Sequence, residues 1–246
     1  MTYCVGMQLD AGLIFMSDTR TNAGVDNVSV FRKMSSWEVP GERVITILTS
    51  GNLATTQSVI SQLEERSKRP NERRPSILEA PTMFQVANIV GETLRETVRG
   101  GAMGGAMAET AFGATLILGG QIAGMEPRLF MIYPEGNFIE ASKDTPYFQT
   151  GETKYGRPIL VRAYEPGMSF EEAAKLLMVS FDSTLKANLS VGLPFDFQIV
   201  PAGDCRIGFE TRIEADDPYY NEISSGWGNA LKQAFKSLPE YSLPYG

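Results

Sequence analysis

Two short apolar runs open the chain, Tyr3 to Leu9 and Gly12 to Ser17, and the Asp10-Ala11-Gly12 joint between them predicts a β-hairpin. Val28 to Lys33 and Arg43 to Ser50 are rich in β-branched residues and bounded by Asn, Pro and Gly, which adds two strands. From Leu53 the period changes. Leu53, Val59, Ile60 and Leu63 mark one apolar helical face, and Met83, Ala87, Val90, Leu94 and Val98 mark a second after Thr82 as N-cap. Between them Arg66, Lys68, Arg69, Arg73 and Arg74, broken by Pro70 and Pro75, read as a solvated basic loop with no aromatic residue to stack on bases. The run from Gly100 to Gly105 fits neither a phosphate loop nor a dinucleotide fingerprint and predicts a flexible loop. Strands return at Ala114–Ile122, Arg128–Ile132 and Phe138–Ala141. Helices follow at Tyr155–Ala163 and Ser169–Leu189, the second opened by a Ser169/Glu172 capping box. Two more strands, Phe195–Val200 and Arg206–Ile213, precede a polar, aromatic-containing stretch around Tyr219 to Ser237, with Asp216-Asp217 before Pro218 read as a solvated turn.

Strand groups alternating with pairs of helices predict an α+β fold of largely antiparallel sheets covered by helix pairs. No repeat or linker divides residues 1–246, so one domain is expected, and 43% hydrophobic residues suffice for a large core. The net charge of −7 lends no support to a nucleic-acid or anionic-membrane partner. No run approaches the ~18 consecutive apolar residues of a membrane span. Two cysteines, Cys4 and Cys205, are too few for a disulfide scaffold or a four-thiolate metal site. Met1-Thr2-Tyr3 also runs straight into a strand pattern without a basic and then apolar leader, so the chain is expected to be cytoplasmic. No acidic cluster has Ca²⁺ or Mg²⁺ spacing, and neither a metal nor a cofactor is expected.

The chain contains no histidine, which excludes Ser-His-Asp and Cys-His catalysis and His-ligated zinc or haem. A nucleophile must then be a Ser or Thr activated by Lys, a Cys activated by a cation, or an N-terminal residue whose own α-amine is the base. Thr2 follows the initiator Met and is small enough for Met1 to be removed. Its free α-amine has an ordinary pKa of about 7.7–8.0, suited to a base at neutral pH. The strand pattern that follows immediately predicts a terminus tied into a sheet rather than a frayed one.

Thr2, Ser17-Asp18-Thr19-Arg20, Phe31-Arg32-Lys33 and Ser50-Gly51-Asn52-Leu53-Ala54 together resemble the proteasome β-subunit pattern of the N-terminal nucleophile hydrolases. In TYCVGMQLDAGLIFMSDTRTNAG and GETKYGRPIL the chain is most similar to the bacterial ancestral β-subunit (Anbu) group. The likeness runs over roughly residues 2 to 213, leaving 214–246 as a C-terminal extension. It implies a four-layer αββα sandwich and a homo-oligomer, as a ring or an open helical stack. It also implies Thr2 as nucleophile, Asp18 and Lys33 as its charged support, and the Gly51 N–H as oxyanion donor. Arg20 is expected to support the loop after Asp18, Ser190 matches a serine of the pattern, and Thr21, Phe31 and Thr49 are implied as the substrate pocket.

Taken singly, Asp18 also reads as a turn residue, Lys33 as a strand-edge charge and Gly51 as a strand-to-helix joint. Two departures from the family stand out. Thr150-Gly151-Glu152 replaces a serine near the nucleophile, and Ala187-Asn188-Leu189 precedes Ser190 where an aspartate is usual, with Asp182 about two turns away. The expected activity is threonine-type hydrolysis of peptide bonds. A small-molecule or γ-glutamyl amidase of the same fold, and a non-catalytic self-assembling scaffold with a relic site, remain open.

Overall fold

The predicted N-terminal hairpin forms and lies inside a sheet, not at its edge. The computed structural model describes residues 2–22, 28–68, 75–101 and 111–243. Strands β1 (Tyr3–Leu9) and β2 (Gly12–Asp18) pair in the register Cys4↔Ser17, and β1 also pairs with β10 (Tyr147–Gly151) through Tyr3↔Gly151. With β11 (Phe195–Pro201) and β12 (Phe209–Ile213) they form a five-stranded antiparallel sheet ordered β10-β1-β2-β11-β12. A second antiparallel sheet is ordered β5-β6-β7-β8-β9, from β5 (Met34–Val39), β6 (Arg43–Gly51), β7 (Ala114–Ile122), β8 (Arg128–Ile132) and β9 (Phe138–Glu140). A two-stranded ladder joins β3 (Arg20–Asn22) to β4 (Val28–Val30).

Strand periodicity separates three cores. On β1 and β2 the side chains of Tyr3, Val5, Met7, Ile14 and Met16 meet Leu177 and Phe181 of the helical layer. Cys4, Leu13 and Phe15 point the other way, against Leu48, Ile117 and Leu129 of the second sheet. That sheet's far face buries Ile45, Ile47 and Leu118 against Val59, Leu63, Val90 and Leu94. The layers therefore run helix, sheet, sheet, helix. Helices α1 (Leu53–Lys68) and α2 (Met83–Gly101) cover one face. The other is covered by α3 (Arg157–Ala163), α4 (Phe170–Ala187) and α5 (Pro218–Ser237). The capping box at Ser169 and Glu172 forms in both directions.

Several expectations needed correction. Phe31 to Lys33 leave the strand geometry that begins at Val28, and Gly100 and Gly101 belong to α2 rather than to a loop. Residues 102–105 of that glycine-rich run, and Arg69, Pro70, Arg73 and Arg74 of the basic segment, lie outside the described residues. The stretch around Tyr219 to Ser237 forms a helix, and Asp216-Asp217, expected as a solvated turn, leads into it. Asp217 is its N-cap, with Oδ1 accepting from the Tyr220 N–H at 2.8 Å, and Pro218 stands in its first turn. Tyr220 packs into the core beside Phe195, and its hydroxyl donates to Asp182 Oδ1 at 3.1 Å. Among the described residues no helix is long and apolar enough to cross a membrane.

Candidate active site

Thr2 is the residue before β1, half-buried at one end of the sandwich. The neighbouring Tyr3 anchors it. The Tyr3 ring is fully buried against Phe181, and its hydroxyl shares hydrogen bonds with Ser180 Oγ (2.8 Å) and Gln149 Nε2 (2.6 Å). Burial pushes the Tyr3 phenol well above the ordinary tyrosine range, so it stays neutral. A side chain at Gly156 would overlap the Tyr3 oxygen at 2.2 Å, which explains a glycine there.

Asp18, the last residue of β2, is fully buried and collects three donors. Oδ1 accepts from the Tyr3 N–H (3.0 Å) and Lys33 Nζ (2.6 Å), and Oδ2 accepts from the Gly192 N–H (3.3 Å). Lys33 is nearly as buried and also donates to the Arg20 carbonyl at 2.6 Å. Burial pushes the Asp18 carboxyl above its ordinary value of 3.8, while the Lys33 ammonium and the backbone donors pull it back toward the charged form. Lys33 is itself fixed to the second sheet, because its carbonyl accepts from the Thr49 N–H at 2.9 Å. The pair thus ties together the start of β1, the end of β2 and strand β6.

Gly51 closes β6 in a left-handed conformation (φ +105°), where a Cβ would come within 2.5 Å of the Gly113 carbonyl oxygen. Only glycine fits. Asn52 then caps α1, its Oδ1 accepting from the Thr55 N–H at 3.0 Å. Thr49 lines an open groove of about 300 Å³ with Arg32, Ser35, Leu53, Thr56 and Gln57. Thr21, paired with Ser29 in the β3–β4 ladder, and the partly exposed Phe31 are not among its walls.

Arg20 reaches a different loop from the one expected. Its guanidinium donates to the Leu189 carbonyl at 3.0 Å and lies over Gly192, where a Cβ would meet it at 2.3 Å. It therefore steadies the segment between α4 and β11. Ser190 enters that segment through its amide, which donates to Asn188 Oδ1 at 2.9 Å. The Asp182 carboxylate is engaged by the Tyr220 hydroxyl and Lys186. A further acidic residue adjoins Thr2 through the backbone: the Glu152 N–H donates to the Thr2 carbonyl at 2.6 Å. Glu152 belongs to the Thr150-Gly151-Glu152 tripeptide that departs from the family pattern, and its spacing alone does not single it out. Cys4, also close by, donates to the Thr49 carbonyl at 3.7 Å, and burial pushes its thiol far above the thiolate range. Among the described residues no three His, Cys, Asp or Glu side chains group as metal ligands.

The two antiparallel sheets between helical layers, with the chain starting on an inner strand above a buried Asp–Lys pair, have the architecture of the N-terminal nucleophile hydrolases. The proteasome subunit family model matches residues 2–200. The ancestral β-subunit Anbu from Yersinia bercovieri superimposes with a TM-score of 0.92 and 46% identity, covering 98% of this chain and 99% of that one. Anbu from Pseudomonas aeruginosa, described as a helical assembly, gives 0.90 and 41% over the whole of both chains. A proteasome subunit beta from Haloferax volcanii is 26% identical over 200 residues, 81% of this chain and 73% of that protein. The chain belongs to the proteasome subunit family, within its ancestral β-subunit branch.

Proposed function

We propose that this chain is a threonine peptidase of the N-terminal nucleophile type, active once Met1 is removed. The observation that carries this reading is the Asp18 carboxylate, which holds the Tyr3 amide, the Lys33 ammonium and the Gly192 amide at once. In this reading Thr2 Oγ attacks a peptide carbonyl and its proton passes to the α-amine, directly or through a water. The Lys33 ammonium favours the developing alkoxide, and Asp18 keeps that ammonium charged and in place. The Gly51 N–H binds the tetrahedral oxyanion, a contact whose loss typically costs ~10²–10³ in rate. The groove beside Thr49 takes a substrate side chain, and its mixed lining of Arg32, Ser35, Thr56 and Gln57 suits a polar one.

The working form is a homo-oligomer. Two observations support this: the relative described as a helical assembly, and an apolar stripe on α5 that the chain's own core leaves exposed. A reducing, cytoplasmic setting suits Cys4 and Cys205, both free and buried. The deciding experiment is intact-mass analysis of the native protein, before and after treatment with a β-lactone or epoxyketone probe. The expected result is a chain lacking Met1 that gains one probe mass, with no gain in Thr2→Ala. Retained Met1, or labelling that survives Thr2→Ala, refutes the assignment.

A further inference from the structure

Glu152 is buried with 7% exposure, yet among the described residues the donors that reach it are neutral. Its Oε2 accepts from Asn188 Nδ2 at 2.9 Å and its Oε1 from the Lys154 N–H at 3.3 Å. Asn188 is in turn held through Oδ1 by the Ser190 N–H at 2.9 Å. Among the described residues no lysine or arginine pairs with this carboxylate, although the other buried acids have cations: Lys33 for Asp18, Lys186 for Asp182, and Arg212 for Asp196. Burying an unpaired carboxylate costs several kcal/mol, so buried charges are normally matched.

The backbone indicates where the missing cation comes from. The β1–β10 register ends at Tyr3↔Gly151, and one residue beyond it the Glu152 N–H donates to the Thr2 carbonyl at 2.6 Å, which brings the two residues side by side. Gly151 makes this approach possible: its φ is +85°, and any Cβ there would fall 1.9 Å from the Thr2 oxygen. While Met1 is attached, the nitrogen of residue 2 is a neutral amide. Removing Met1 creates an α-ammonium at that position.

We propose that Glu152, oriented by Asn188, is the counter-ion of the α-ammonium created on Thr2 when Met1 is removed, and that it sets how readily this amine gives and takes the proton of the reaction. Glu152 is a positioning residue here, and the inference rests on the reading of Thr2 as nucleophile. The proton leaves Thr2 Oγ for the neutral amine, and no bond to Glu152 forms. Its charge favours the protonated amine, so the base becomes available at higher pH than an isolated α-amine allows. The other charged groups around this corner act less directly. Asp18 and Lys33 neutralise one another, the Arg20 guanidinium is engaged by the Leu189 carbonyl, and the Lys154 side chain is exposed.

The test uses the full chain released from an N-terminal fusion so that Thr2 is its first residue. The rate of Thr2 amine acylation by acetic anhydride is followed against pH by mass spectrometry. The expected midpoint lies above the ordinary ~7.7–8.0 of an α-amine, and Glu152→Gln lowers it by about one unit, a tenfold faster acylation at pH values below the midpoint. Asn188→Ala shifts it the same way by less. The pH at which β-lactone labelling turns on follows the same order. A midpoint unchanged in a folded Glu152→Gln protein overturns the counter-ion role even where the β-lactone labels Thr2. If that variant does not fold, a wild-type midpoint at or below the ordinary value overturns it. A shifted midpoint with no β-lactone labelling keeps the Glu152 pairing and sinks the peptidase reading instead.

Discussion

The Thr2 corner and the outer half of α5 break the usual rule of burial in opposite directions. At the corner Asp18, Lys33 and Glu152 are charged residues with 0%, 4% and 7% exposure. On α5 and just beyond it, Leu231, Phe235, Leu238, Tyr241 and Leu243 are large apolar residues exposed by 49%, 77%, 62%, 84% and 67%. The corner is resolved almost entirely from within, since Tyr3, Lys33, Gly192 and Asn188 supply its partners from four separate segments. The helix is resolved from within only over its first two turns, where Tyr220 packs beside Phe195, Ser224 bonds Lys186 and Ile223 reaches the core. Beyond Trp227, whose indole N–H is buried without a hydrogen-bond partner among the described residues, the same stripe continues exposed. Internal partners make a rigid site out of unfavourable charge, whereas an apolar face left open on one chain calls for a second chain.

The sharpest way to break the corner is to remove one charge of its pair. Asp18→Ala leaves the Lys33 ammonium buried with only the Arg20 carbonyl, and the expected loss is about 3–5 kcal/mol in denaturant unfolding, with loss of β-lactone labelling. A cost below ~1 kcal/mol would show that the pair does not organise the corner. A smaller effect is expected where backbone geometry alone is challenged. Gly151→Ala combines a positive φ with a collision against the Thr2 carbonyl, whereas Gly124→Ala has a positive φ of 78° in open space. Unfolding should show about 1 kcal/mol for Gly124→Ala and ~3 kcal/mol for Gly151→Ala. Equal costs would mean that the β10 end does not press on Thr2.

Much of both regions can be read in the sequence, but by different routes. Period-two and period-3.6 patterns place β1, β2, β6, β7, β8, α1, α2 and α4 closely, because each buries one regular face. Strand β5 is missed because Ser35, Ser36 and Glu38 dilute its apolar face, and β10 because it is a five-residue edge strand. Helix α5 is missed because Gly226 and Gly228 interrupt it at about 1 kcal/mol each, a weak helix signal beside Asp217-Pro218, which does mark its start. At the site, the Asp18–Lys33 contact links residues named in advance, though their roles came from family likeness rather than from pattern. Glu152 escapes because its place depends on a backbone contact with Thr2 just beyond the end of β10, which residue spacing does not reveal.

The gentlest test separates the two regions most cleanly. With about 200 Å² for each large side chain, the five exposed residues from Leu231 to Leu243 leave on the order of 600–700 Å² uncovered on one chain. Monomers rarely expose more than about 300–600 Å² in one patch, and a two-fold pairing of such faces would bury about 1,200 Å² or more, the size of a specific interface. Replacing Leu231 and Phe235 together by Ser should therefore leave the unfolding free energy of the dilute monomer within about 0.5 kcal/mol of wild type, since neither joins a buried core cluster. Ile223→Ala on the same stripe, packed on the core, should cost about 2 kcal/mol. Sedimentation velocity should find Leu231→Ser/Phe235→Ser as monomers at concentrations where wild type assembles. An unchanged sedimentation profile would remove the second copy as the cover for α5, and the apolar half of the comparison with it.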